Sequence, residues 1–184
     1  MLTIVPLSEE NRMHFNQADA RFLAGDRVQL HVNRKGFSTE YIPLQAAEWR
    51  SVKPFAANAS RLLINPNAAC YLAYVDGQPA GQCIFRAGAH RLCDLLDIRT
   101  DIRYRRQGVG TALLGACVTW AESAGCAGIR AEATDWQSVA AQFFEGCGFT
   151  LGGVDRLLHA GQPDQAVLLP AMRESVLMFY KFLK

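Results

Sequence analysis

Apolar and polar positions alternate in a changing rhythm along the 184-residue chain, and the rhythm predicts its elements. Leu2–Val5 is a short apolar run that reads as a strand. A mixed helical stretch is expected from Ser8 to about Gly25, after which Val28, Leu30 and Val32 alternate as a half-buried strand does. Residues 36–62 hold Tyr41, Trp49 and Phe55 among polar neighbours, with Pro43 and Pro54, and are expected to form loop and short helix. Cys70–Val75 and Pro79–Arg86 flank Asp76-Gly77, a pair suited to the positive φ angles of a tight turn, so an antiparallel hairpin is predicted. Arg91–Thr100 is a third apolar run, ending at the polar loop Asp101–Gln107.

The most regular pattern follows. Val109, Ala112, Leu113, Ala116, Cys117, Trp120, Ala121 and Ala124 recur at helical spacing, and Gly125 supplies a stop. Ile129–Ala133 reads as a strand and Ser138–Glu145 as a short helix, with Val139/Phe143 and Ala140/Phe144 one turn apart and Gly148-Phe149 as its exit. Strand, helix, strand, helix, strand after an early hairpin predicts an α/β fold with a mixed sheet.

Composition narrows the function. Half of the residues are hydrophobic and a fifth charged, which is ordinary for a globular chain able to bury roughly 70% of its unfolded surface in one domain. The net charge of +2 comes from 19 basic and 17 acidic residues interspersed with one another, so no nucleic-acid-tracking surface is expected. Cys70, Cys83, Cys93, Cys117, Cys126 and Cys147 form no C-x-x-C pair and have no histidine at ligand spacing, which predicts free thiols, no metal and a cytoplasmic location. No apolar stretch reaches membrane-helix length, so no membrane partner is expected.

The candidate chemistry lies in Arg105-Arg106-Gln107-Gly108-Val109-Gly110-Thr111, where the third apolar run gives way to the regular helix. Glycines allow a ligand close to the backbone, and free N–H groups, the positive helix end and adjacent arginines suit a pyrophosphate. The same features also serve turning and solvation. The chain has neither G-x-x-x-x-G-K-[ST] nor G-x-G-x-x-G, so the P-loop and Rossmann readings fail.

That loop, with the later segment Gln137-Ser138-Val139-Ala140-Ala141-Gln142-Phe143-Phe144-Glu145-Gly146-Cys147-Gly148-Phe149, resembles the GNAT superfamily of acyl-CoA N-acyltransferases. Within it, the run from Leu63 onward is similar to streptothricin acetyltransferases, through Asn65-Pro66, Tyr71–Asp76, Gly81-Gln82, Tyr104–Gly110 and Phe149–Gly153. The resemblance is weak before residue 60, where acceptor-binding elements of such enzymes commonly lie. It implies a single GNAT-like domain over 1–184, with a mixed, mostly antiparallel sheet flanked by helices and splayed at a cofactor cleft. It further implies that Arg105, Arg106, Gln107, Gly108, Val109, Gly110 and Thr111 hold the pyrophosphate of acetyl-CoA. Ile98, Arg99 and Thr100 would pair with its pantetheine arm as a strand would. Gln137, Ala140, Phe143 and Phe144 would line the other side, although a phenylalanine stripe at helical spacing also suits a core.

The departures from the family pattern fall on catalytic positions. Leu96-Asp97 stands where streptothricin acetyltransferases carry Glu-Asp, Phe144 replaces a proton-donating Tyr, and Gln137 replaces Asn. Asp97 and Asp94 remain as carboxylates to accept a proton or attract a cationic amine, or to pair with an arginine such as Arg91 or Arg99. On a regular strand they face opposite sides, unless a bulge changes the parity. The favoured activity is acetylation of a primary amine of a small molecule, such as an antibiotic of streptothricin type; acetylation of a protein or peptide, and acyl-CoA sensing by a weak enzyme, are the alternatives. A homodimer is also left open.

Overall fold

A computed structural model of the chain describes residues 1–34, 36–160 and 174–184. In chain order the strands are β1 Leu2–Pro6, β2 Phe22–Asn33, β3 Gly36–Arg50, β4 Ala68–Val75, β5 Gln78–Ala87, β6 Leu92–Thr100, β7 Gly128–Thr134, β8 Thr150–Asp155 and β9 Val176–Phe182. The helices are α1 Ala59–Leu63, α2 Val109–Ser123 and α3 Ser138–Gly146. The chain divides into two compact units: Met1–Phe22, Ser51–Ile129 and Phe182–Lys184 in the first, and Leu23–Arg50 with Arg130–Lys181 in the second.

The first unit is built on antiparallel strands in the order β1-β4-β5-β6. Asp76 and Gly77 both take positive φ, +48° and +78°, so the hairpin turn forms as their sequence predicts. The apolar stripe of α2 covers one face, where Trp120 meets Phe85 at 5.1 Å between ring centroids and Cys117 Sγ lies 4.0 Å from Cys93 Sγ. Gly81 is what lets β5 and β6 close under this helix, because a Cβ there would stand 2.5 Å from the Arg99 carbonyl oxygen. The opposite face packs Leu7, Leu62, Cys70, Leu72 and Ile84 together, with Phe15, Phe55 and Leu96 against them.

The second unit holds the two-stranded ribbon β2-β3, the neighbours β7-β9-β8, and α3. Thr39 Oγ1 and Tyr41 Oη on the ribbon donate to the Glu145 carboxylate of α3 at 2.8 and 2.7 Å. Burial and that carboxylate push the Tyr41 phenol up to about 12. Arg27 pairs with buried Asp135 at 2.9 Å, and the Arg27 and Arg50 guanidinium groups lie 4.8 and 3.8 Å from the Trp136 ring centroid.

Two expectations are overturned. The helix expected from Ser8 to Gly25 is instead a 3₁₀ turn at Arg12–His14, then loop, then the start of β2. Short polar side chains take the backbone partners a helix would have used: Asn11 Oδ1 accepts from Ser8 N at 2.8 Å, Asn16 binds Phe55, and Asp19 Oδ1 accepts from Arg21 N at 3.2 Å. Residues 36–62 are mainly the strand β3, with only α1 helical. Pro43 is tolerated because a two-stranded ribbon leaves each strand an outer edge that needs no ladder donor.

Candidate functional site

The loop after β6 is set by Asp101. Only 1% exposed, its carboxylate accepts from Arg103 N at 3.0 Å, Arg103 Nε at 2.8 Å, Arg103 Nη2 at 2.9 Å and Asp19 N at 3.0 Å. The Arg103 side chain foremost, with the backbone donors, pulls its pKa from 3.8 down to about 2. A depressed carboxylate pKa contributes stability that is complete above the unfolded value and lost as pH falls through the folded one. The stability gap between the wild type and Asp101→Asn is therefore expected to be about 2 kcal/mol near neutral pH. In urea melts at stepped pH it should close between about pH 4 and pH 2; a gap independent of pH would show that the charge contributes nothing.

Beyond Asp101 the chain turns sharply. Arg106 sits at φ +61° and Gly108 at φ +81°, which bends the backbone back into the first turn of α2. Gly108 is the N-cap, so no side chain caps the helix, and its first turn has no acidic residue. A Cβ added at Gly108 would meet no heavy atom within 4 Å, and the first-turn N–H groups of Val109, Gly110 and Thr111 have no partner within the helix. Arg105 donates to the Arg21 carbonyl, Gln107 Nε2 donates to the Arg103 carbonyl at 3.2 Å, and Arg106 is exposed at the mouth. Unspent donors, a helix dipole and guanidinium charge fit a pyrophosphate group. Ile98, Arg99 and Thr100 end β6 in the same unit.

The parity of the two carboxylates is settled by a bulge. Asp97 stands opposite Ile84 and Leu95 opposite Phe85, so Leu96 is an extra residue in β6. Asp94 stands opposite Arg86, two residues from Ile84, and both carboxylates consequently share the face away from α2. Asp94 sits at the hairpin end with Arg86 Nε at 3.5 Å. Asp97 is more tightly held: Arg99 Nη2 reaches Oδ1 at 2.6 Å, Arg99 Nε reaches Oδ2 at 2.9 Å, and Gln82 Nε2 reaches Oδ2 at 2.8 Å. The Arg99 and Asp97 side chains are 4% and 8% exposed. Burial foremost, and then the charge of Asp97, raises the thiol of Cys70 to about 12.

On α3 the remaining expected residues are described within their own unit. Phe144 is buried and meets Phe149 and Phe179 at 5.3 and 5.4 Å between ring centroids, so its ring forms core. Phe143 and Ala140 are half-buried, and Gln137 Oε1 accepts from Thr134 N at 2.9 Å, closing the turn before the helix. Sequence reasoning passed over Asn16 and gave Gln82 no role, yet both bond around Asp97. An isolated polar residue in a loop or strand carries no periodic signal that would single it out. Among the described residues no group of three or more His, Cys, Asp and Glu could hold a metal ion, and no helix is long and apolar enough to cross a membrane.

The chain is similar in sequence and fold to known acetyltransferases. The chain is 26% identical to streptothricin acetyltransferase of Escherichia coli over 148 residues, 80% of each chain. It is 29% identical to streptothricin acetyltransferase A of Bacillus subtilis (strain 168) over 114 residues, 62% of each. A solved structure of a candidate streptothricin acetyltransferase from Bacillus anthracis strain Ames, in complex with acetyl coenzyme A, superposes with a TM-score of 0.89 at 23% identity over the whole of both chains, showing the same fold. Residues 34–149 match the acetyltransferase (GNAT) family, and this match over more than half of its length shows that the chain belongs to that family.

Proposed function

We propose that the chain moves the acetyl group of acetyl-CoA onto a primary amine of a small molecule, an antibiotic of streptothricin type. The observation that carries this reading is the uncapped start of α2 behind Arg105 and Arg106, with open space at Gly108. The names of its relatives supply the acceptor class. In this reading Arg105–Thr111 hold the pyrophosphate and Ile98–Thr100 present backbone groups to the pantetheine arm. The free cysteines support a reducing, cytoplasmic setting.

When bound, acetyl-CoA supplies an activated acyl carbon. A C–N bond to the amine forms as the C–S bond breaks, and the amine loses one proton. Asp97 is the proposed acceptor of that proton, with Arg99 and Gln82 orienting the carboxylate. Phe144, which stands where the family pattern has a proton-donating Tyr, has no proton to give. Much of the rate then comes from orientation rather than from strong acid–base chemistry.

Titration calorimetry with acetyl-CoA is expected to show binding at one site. The melting temperature should rise with ligand, by the equivalent of about 2.7 kcal/mol at a hundredfold excess over Kd. Release of free CoA thiol in the presence of streptothricin should follow. No binding at millimolar acetyl-CoA would overturn the reading; binding without turnover on any amine would leave an acyl-CoA sensor.

A further inference from the structure

The loop between β1 and β2 contains a polar residue that makes four hydrogen bonds, although no step above needs it. Asn16 sits at φ +61°, in the left-handed region that costs a residue other than glycine about 1 kcal/mol or more. Its backbone N–H donates to Gln82 Oε1 at 2.7 Å, and its Nδ2 donates to the Phe55 carbonyl at 3.1 Å. Its Oδ1 accepts from Phe55 N and from Gln82 Nε2, both at 3.1 Å. Gln82, 1% exposed, also donates to Asp97. From the other side, Arg99 Nη2 donates to the Lys53 carbonyl at 3.1 Å. The backbone of residues 53–55 is thus gripped at two points, and both grips converge on the Asp97 carboxylate.

The same loop also reaches the glycine-bearing turn. Ile102 N donates to the Asp19 carbonyl at 2.8 Å, Asp19 N donates to Asp101, and Arg105 donates to the Arg21 carbonyl. Asn16 to Arg21 therefore runs from the Asp97 network to the loop proposed to hold the pyrophosphate. Phe55 packs its ring against the core, but Lys53 and Pro54 are exposed, so packing of that one ring leaves the course of the exposed residues to polar contacts. A fully satisfied polar network at a strained residue instead specifies one geometry.

We propose that Asn16 and Gln82 are positioning residues for the amine acceptor: they hold residues 53–55 against β6 at Asp97, and so fix where the amine stands relative to the carboxylate that takes its proton. This rests on the acetyltransferase reading above. Neither residue touches the reacting atoms; they act through Asp97 and the held segment.

Asn16→Gly is the direct test, because glycine accepts the positive φ and keeps the N–H while losing only the amide group. With acetyl-CoA and streptothricin, KM for the amine is expected to rise by about 10- to 100-fold, while calorimetric affinity for acetyl-CoA stays at the wild-type value. Asn16→Asp, which keeps both acceptor contacts, should recover part of the loss. Should Asn16→Gly fail to fold, Gln82→Met removes the other end of the network and is read in the same way. A lowered melting temperature with wild-type KM and kcat for the amine would reduce the network to a stabilising one and sink the proposal, leaving the acetyltransferase reading intact. Absence of acetyl-CoA binding by the wild-type protein would overturn both.

Discussion

Gly108→Glu is expected to weaken acetyl-CoA binding by on the order of 100-fold or more while the protein stays folded. The new carboxylate would project into the space before the first N–H groups of α2, where it would satisfy the donors and cancel the positive dipole end that a pyrophosphate needs. Folding should survive because a Cβ at this position meets nothing within 4 Å. The φ of +81° nevertheless imposes about 1–2 kcal/mol of strain on any side chain. Gly108→Ala carries the same strain without the charge, so it separates conformation from electrostatics and should retain most of the affinity. Calorimetry on both variants, with melting curves to confirm folding, decides the matter. A folded Glu variant that binds acetyl-CoA as the wild type does would move the pyrophosphate elsewhere.

The second large effect is expected at Asp97. If its carboxylate takes the amine proton, Asp97→Asn should lower kcat/KM for the amine by roughly 10²–10⁴-fold with acetyl-CoA affinity nearly unchanged. The ion pair adds a complication that must be separated from the chemistry: Asn leaves Arg99, 4% exposed, without its counter-charge, at a cost of about 3 kcal/mol in stability. The double variant Asp97→Asn/Arg99→Gln removes both charges and should regain stability without regaining turnover. If turnover returns as well, Asp97 acts only by holding Arg99. Asp94→Asn, at the hairpin end beside Arg86, is the companion measurement. Loss of turnover there, with Asp97→Asn active, would transfer the proton to Asp94.

Legibility in the sequence followed the source of each element's stability. The Asp76-Gly77 hairpin, the strand through Thr100 and the helix after Gly108 are fixed by local turn chemistry and by apolar spacing against one sheet face, and both can be read from the chain alone. The β2-β3 ribbon escaped because β3 is mostly exposed, so Pro43 and its polar neighbours resemble a loop. The supposed helix after Ser8 failed for a different reason: Asn11 and Asp19 bond to backbone groups two or three residues away, and Asn16 bonds to Phe55, whose position only the folded chain supplies. At the candidate site, the glycine turn into α2 was legible from residue type and order, whereas Asp97 and Asp94 were both left open as candidates. The extra residue Leu96, which turns Asp94 and Asp97 to one face, depends on the register with β5 and leaves no mark in one strand's sequence.

The thiols around the Asp97 strand have one more chemical consequence. A thioester is open to exchange with any nearby thiolate, and a cysteine that captured the acetyl group would leave the enzyme self-acylated. Cys70 is held protonated by burial and by the negative charge of Asp97, and Cys83 is raised further by burial above all. Burial first, with the proposed proton acceptor adding to it at Cys70, thus keeps these thiols in their poorly nucleophilic form beside the strand that carries Asp97.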